Sequence, residues 1–188
     1  MLKRTDAEKL SKMISVLFED VSECQARLTD SDTQFWRRAF VRATLSFAEG
    51  ITVLLKQQAL VGACNKITAT GEIDFARLSV LLGESYFIDD IGKLRWRPIH
   101  IPMLHNVAFA FREFAQLHGS AFKLDKSSEE WRALQTAFRV RDRLVHPKGV
   151  DELIVTDVEL TAVKTAVSWL NESLGSLFSE AQGALKKK

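Results

Sequence analysis

The strongest constraint on the fold of this chain is a spacing of apolar residues at intervals of three and four, which recurs over most of its 188 residues. Such a spacing places apolar side chains on one face of an α-helix. The chain also has only three prolines and nine glycines, which is few for the many turns of an all-β protein. We therefore predict a mainly α-helical bundle of about six helices, formed by a single domain over residues 1–188.

Capping residues, glycines and prolines set the approximate limits of the predicted helices. These helices cover about 5–28, 31–66, 72–83, 102–119, 128–145 and 156–181. Gly50 lies inside the second pattern and indicates close packing or a slight bend. The helical period is lost after Gly83, where two short apolar runs flank the turn-like segment at 89–93. This change predicts a short β-hairpin near 86–97.

Composition excludes several classes of protein. The chain has no run of roughly 18 apolar residues that would span a membrane. Its first ten residues lack the apolar stretch of a signal peptide, so we expect a cytoplasmic protein with no membrane partner. Cys24 and Cys64 are too few for a disulfide scaffold, and their apolar helix positions predict buried, reduced thiols.

The four histidines do not form a recognisable metal motif. The chain has no HExxH segment and no CxxC pair, and His100 and His105 have no further ligands close in sequence. We therefore expect no metal and no cofactor. The net charge of +2 is too small to indicate nucleic-acid binding by itself, so any functional basic patch must be local.

The most informative segment lies in the fifth predicted helix, at 131–148. On a helical wheel Arg141 falls between two apolar stripes of this helix. A buried guanidinium without a partner costs several kcal/mol, so Arg141 must meet a carboxylate, a groove, an interface or an anion. A structural ion pair with Glu49 or Glu172 is one interpretation.

A polar edge of the same helix carries Arg139, Asp142 and His146, which lie on neighbouring turns. Arginines and a lysine outnumber Asp142 here, so the local field is positive, and we predict that RNA contacts Arg139, Arg143 and Lys148. Asp142 either orients His146 or Arg139, or is only a surface partner of His146. His146 stands at the predicted helix end, where a histidine also interacts favourably with the helix dipole.

These residue types suit RNA cleavage without a metal. A ribose 2′-hydroxyl would attack the adjacent phosphate, with His146 moving a proton near neutral pH and Arg141 clamping the phosphate. The products would be a 2′,3′-cyclic phosphate and a 5′-hydroxyl. Because one histidine does not easily serve as both acid and base, we expect two copies of the chain to face each other.

The segment RDRLVH at 141–146 resembles the R-x(4–6)-H motif of HEPN domains (higher eukaryotes and prokaryotes nucleotide-binding). A polar residue usually follows the arginine in that family, and Asp142 fits this position. The resemblance implies an all-α bundle, a dimeric, metal-independent ribonuclease with Arg141, Asp142 and His146 at its site, and a toxin–antitoxin or phage-defence role with an antitoxin or other defence protein as partner. Arg139 offers a second match to the motif, because six residues separate it from His146.

Two other hypotheses remain open from the sequence. The chain is either a HEPN-like module that binds RNA or nucleotides without cleavage, or a helical interaction protein in which Arg141 is a structural charge. Two further groups of basic and aromatic residues suggest secondary RNA contacts. They are Trp36, Arg37, Arg38 and Arg42, and Lys93, Arg95, Trp96 and Arg97.

Overall fold

The computed structural model describes residues 4–185, without the side chains at 4–7, 10, 11 and 185. In this range the chain forms six α-helices, a two-stranded antiparallel sheet and one 3-10 turn, which confirms the mainly α-helical fold and the hairpin. The elements are α1 (Arg4–Asp30), α2 (Gln34–Thr70), α3 (Phe75–Leu82), β1 (Glu84–Ile88), β2 (Leu94–Pro98), α4 (Met103–His118), α5 (Glu129–Val145), the 3-10 turn (Val150–Leu153) and α6 (Asp157–Leu185).

The long helix α2 is the centre of the bundle, and α1, α3, α4, α5 and α6 all contact it. Its apolar face buries Phe40, Phe47, Ile51 and Leu55 almost completely. Burying one such side chain contributes about 1.5–3 kcal/mol, so these four side chains contribute substantially to the stability of the fold. The last two helices pack side by side against it.

Gly50 lies at a close approach between α1 and α2. A Cβ atom added there would overlap the side chain of Leu17 on α1. The close packing predicted for Gly50 is therefore confirmed. Gly62 has a similar position further along α2, because a Cβ atom there would lie 3.2 Å from Cβ of Leu117 on α4.

The start of α5 follows its capping signal, whereas the start of α2 does not. Ser128 Oγ accepts a hydrogen bond from the amide of Trp131 at the start of α5. The segment SDTQ at 31–34 has the pattern of a capping box with Ser31 as the cap, but the cap of α2 is Thr33. The reason is that the side chain of Gln34 binds the backbone of Val155 and does not return to Ser31.

The hairpin carries an exposed apolar face. Tyr86 pairs with Trp96 and Ile88 pairs with Leu94, and each of these four side chains is at least half exposed. The turn is held by Asp89, whose carboxylate accepts hydrogen bonds from two amides of the turn and from Arg95. The hairpin thus adds little to the core.

The burial of three side chains can be compared with the apolar helix positions that they occupy. Cys64 is exposed, so its predicted burial is wrong; Cys24 is half-buried, and burial raises the pKa of its thiol. Val145 lies on the apolar arc of a helical wheel for α5, yet it is 46% exposed. None of the helices within 4–185 is both long and apolar enough to cross a membrane.

Candidate nucleic-acid site

Arg141 lies between α5 and α2 and is held by two carboxylates. Its Nη2 lies 2.5 Å from Oε1 of Glu49, and its Nη1 donates to Oδ1 of Asp142 over 3.0 Å. Glu49 is one of the two partners expected from the sequence, and this ion pair is present. The Arg141 side chain remains 32% exposed, so the guanidinium reaches both the helix interface and solvent.

The packing of α5 explains how Arg141 reaches this position. Leu134, Phe138 and Leu144 are buried against the core, and they fix the rotation of the helix about its axis. That rotation places Arg141 at the edge of the buried face, next to Glu49 on α2. The interpretation of Arg141 as an ion-paired residue at a helix interface is therefore confirmed.

His146 is the residue that ends α5. Its amide donates to the carbonyl of Asp142 over 3.0 Å, and Pro147 then prevents the helix from continuing. The His146 side chain is exposed. It lies five residues after Arg141, or about 7 Å further along the helix axis. Asp142 bonds to Arg141 through its side chain, so the structure favours Arg141 over Arg139 or His146 as the group that Asp142 orients.

The segment that follows His146 is held at residues 153–155 by four side chains of α2 and α5. We call these four side chains the 153–155 clamp. Its members all bond to backbone atoms of this segment: Arg38 to the carbonyl of Leu153, Arg143 to that of Ile154, Arg37 to that of Val155, and Gln34 to both the carbonyl and the amide of Val155. These bonds are 2.8–3.2 Å long. The loop beside His146 is thereby tied to α2 and α5.

The clamp uses arginines that the sequence analysis assigned to RNA. Arg143 is 29% exposed and also lies 3.0 Å from Oε2 of Glu159, so it has a structural role. Arg37 pairs with Asp32 and Asp157, and the hydrogen bonds from Arg37 hold the pKa of the Asp32 carboxyl below its usual value. Two members of the secondary basic group, Arg37 and Arg38, are therefore occupied by protein partners.

The other two cations predicted to contact RNA lie on the surface. Arg139 is exposed, and its Nη2 donates to Oγ1 of Thr136 over 2.9 Å. Lys148 is exposed, while its backbone amide bonds to Glu152. The C-terminal end of α5 thus has exposed groups that suit an anionic ligand, namely those of Arg139, His146 and Lys148.

Gln34 and Glu159 support this site, but neither was expected to do so from the sequence. Glu159 had a local signal, because Thr156 and Glu159 satisfy each other's amides at the start of α6 as a capping box does. Gln34 had none, because its partner lies 121 residues away. In the part of the chain that the structure describes, no three His, Cys, Asp or Glu side chains lie close enough together to hold a metal ion.

Comparison of the chain with protein-family models, with curated proteins and with solved structures finds no match. The function of the chain is therefore inferred from the geometry at the end of α5.

Proposed function

We propose that this protein is a metal-independent endoribonuclease of the HEPN type, in which the ribose 2′-hydroxyl attacks the adjacent phosphate to give a 2′,3′-cyclic phosphate. The observation that carries the proposal is that Arg141 and His146 both reach solvent within the last turns of α5. An arginine and a histidine so placed supply a phosphate clamp and a proton carrier.

The hydrogen bonds of Arg141 leave it able to bind a phosphate. A guanidinium has five N–H donors, and the bonds to Glu49 and Asp142 use one on each terminal nitrogen. Three donors remain for phosphate oxygens. The two carboxylates fix the plane of the guanidinium before substrate arrives, and such preorganisation is what favours a charged transition state.

His146 would act on protons at the same phosphate. One imidazole does not easily remove the 2′-hydroxyl proton and donate to the leaving oxygen in one step, so the proposal includes a homodimer in which two α5 ends face one RNA strand. Exposed Arg139 and Lys148 would hold the flanking phosphates. Toxin or phage-defence activity in the cytoplasm, with an antitoxin or another defence protein as partner, belongs to the same proposal.

The test is cleavage of labelled total RNA by the purified protein in EDTA. We expect cleavage with cyclic-phosphate ends, a loss of at least about 100-fold in His146→Ala, and a loss of similar size in Arg141→Lys. Arg132→Ala is the matched control, because it removes an exposed arginine from the same helix. Absence of cleavage by folded parent protein across several RNA types, or full activity of His146→Ala, would overturn the proposal.

A second candidate function is a non-catalytic HEPN-like helical module that binds RNA, nucleotides or another protein. The close ion pair between Arg141 and Glu49 favours it, because this pair joins two helices without any substrate. Salt-sensitive RNA binding without cleavage would support the RNA-binding form. Loss of folding or dimerisation in Arg141→Ala, without any RNA affinity in the parent, would support the protein-interaction form.

A further inference from the structure

A cavity of about 620 Å³ opens on α4, and its lining includes no residue of α2 or α5. Its walls come from α4, from Val80 on α3, from the segment 99–101 that leads into α4, and from the loop that follows α4 at 122–126. Its volume is within the range of about 300–1,000 Å³ that is usual for small-molecule sites.

The lining of this cavity is mostly apolar. Three phenylalanines contribute, and two of them, Phe111 and Phe122, have ring centroids 6.0 Å apart. The apolar lining residues are Val80, Ile99, Ile101, Ala108, Phe109, Phe111, Phe122 and Leu124. A ligand that fills this space must therefore have an apolar body.

The remaining lining side chains carry only positive or titratable basic groups. They are His105, Arg112, Lys123 and Lys126, and no carboxylate, hydroxyl or carboxamide side chain joins them. A cationic lining complements an anion. A nucleobase or a sugar needs hydrogen-bond acceptors for its N–H and O–H groups, and the side chains of this lining offer none beyond an imidazole nitrogen.

The charge of Arg112 is not cancelled by its neighbour Glu113. Nη2 of Arg112 lies 3.0 Å from Oε1 of Glu113, while Nε of Arg77 lies 2.8 Å from Oε2 of the same carboxylate. Two guanidinium groups thus share the Glu113 carboxylate, and Oδ2 of Asp74 lies 3.8 Å from Nε of Arg77. The Arg112 side chain is 61% exposed and lies against the ring of Phe109, so its charge is available at the rim.

We propose that this cavity binds an amphipathic carboxylate, with an aliphatic chain among the phenylalanines and the carboxylate at the rim formed by Arg112, Lys123 and Lys126. This proposal is independent of the proposed ribonuclease site, because no residue of that site lines the cavity.

The first experiment is calorimetric titration of the full chain with decanoate, below the concentration at which decanoate forms micelles. Decanol and decyltrimethylammonium keep the aliphatic chain and change the head group, and AMP tests an aromatic anion with a polar base. We expect saturable binding of decanoate at least about tenfold tighter than binding of the other three. Equal binding of decanol or of the cationic amphiphile, tighter binding of AMP, or no binding of decanoate would overturn the proposal.

Variants of the cavity residues then test where decanoate binds. Ala108→Phe fills the cavity and should abolish decanoate binding, with circular dichroism to check the fold. Lys123→Gln with Lys126→Gln removes two exposed charges from a loop and should weaken binding about fivefold. Arg42→Gln with Arg132→Gln is the matched control, since it removes two exposed charges outside the lining and should leave binding unchanged. Unchanged affinity in the lysine pair would overturn the proposal even where Ala108→Phe fails to fold.

Discussion

Nη2 of Arg141 lies 2.5 Å from Oε1 of Glu49, and this contact joins α5 to α2 between residues 92 positions apart in the chain. Both side chains are about one-third exposed, at 32% and 31%. Solvent therefore screens their attraction, and its net contribution to the free energy of unfolding is on the order of 0.5–1 kcal/mol. The larger consequence is geometric, because Glu49 fixes the direction in which the guanidinium faces solvent.

A double-mutant cycle measures this coupling. We expect Arg141→Ala and Glu49→Ala each to destabilise the protein, and the double variant to lose about 0.5–1 kcal/mol less than the sum of the two losses. Urea unfolding of the four proteins gives the values. The same cycle with Asp142→Ala is the comparison, and its coupling should be smaller because Asp142 is 65% exposed. Strict additivity in the Glu49 cycle would contradict the stabilising role of the pair.

Replacement of His146 should separate activity from stability. Its side chain is exposed, and only its backbone amide takes part in ending α5. We therefore expect His146→Ala to change the free energy of unfolding by less than about 0.5 kcal/mol while RNA cleavage is lost. Urea unfolding and the RNA assay on one protein preparation test this. A large loss of stability would mean that His146 is a structural residue.

Arg143 and Arg139 should differ sharply in their effect on stability, although both are arginines of the same helix. Arg143 bonds to the carbonyl of Ile154 and to Glu159, whereas Arg139 bonds to Thr136 on its own helix. We expect Arg143→Ala to cost about 1–2 kcal/mol and Arg139→Ala less than about 0.5 kcal/mol. Thermal unfolding of the two variants compares them directly, and equal losses would contradict the clamp as a source of stability.

His118 predicts a pH dependence of stability. It lies in the last turn of α4 against Phe114, with ring centroids 4.3 Å apart, and burial lowers the pKa of its imidazole below the ordinary 6.5. The unfolded chain therefore binds the proton more readily than the folded one. This contribution to stability is complete well above pH 6.5 and declines as the pH falls below that value.

The test compares the parent with His118→Phe, which keeps a ring in place but cannot be protonated. Urea unfolding at pH 8 and at pH 5.5 should show a larger loss of stability on acidification in the parent than in the variant. Carboxylates titrate alike in both proteins, so they cancel in the comparison. Equal losses in the two proteins would show that His118 does not contribute.

Local sequence signals explain why the helices and the hairpin were predictable. The apolar spacing and the caps at Ser128 and Thr156 act within one or two turns, and the loss of period after Gly83 marks the hairpin directly. Gly50 was interpretable for the same reason, because a glycine inside a helical pattern has a local cost that close packing offsets.

The supporting contacts of the site were not predictable, because they depend on where distant segments meet. The difference between Arg143 and Arg139 depends on the path of residues 154–159, which no local pattern fixes. Cys64 occupies an apolar position of the helical pattern, yet the C-terminal end of α2 is largely exposed. Periodicity identifies the apolar face of a helix, but it does not show where the neighbouring helices stop covering that face.

The 153–155 clamp also has a consequence for the order in which the molecule folds. Gln34 and Val155 are 121 residues apart, so their bonds close a loop that contains most of the chain, at a large cost in conformational entropy. The pairing of α1 with α2 involves near neighbours in sequence and is kinetically favoured. We expect pulse-labelling hydrogen exchange to show the amides of α1 and α2 protected before that of Val155. The end of α5 would then acquire its fixed geometry only in the final stage of folding.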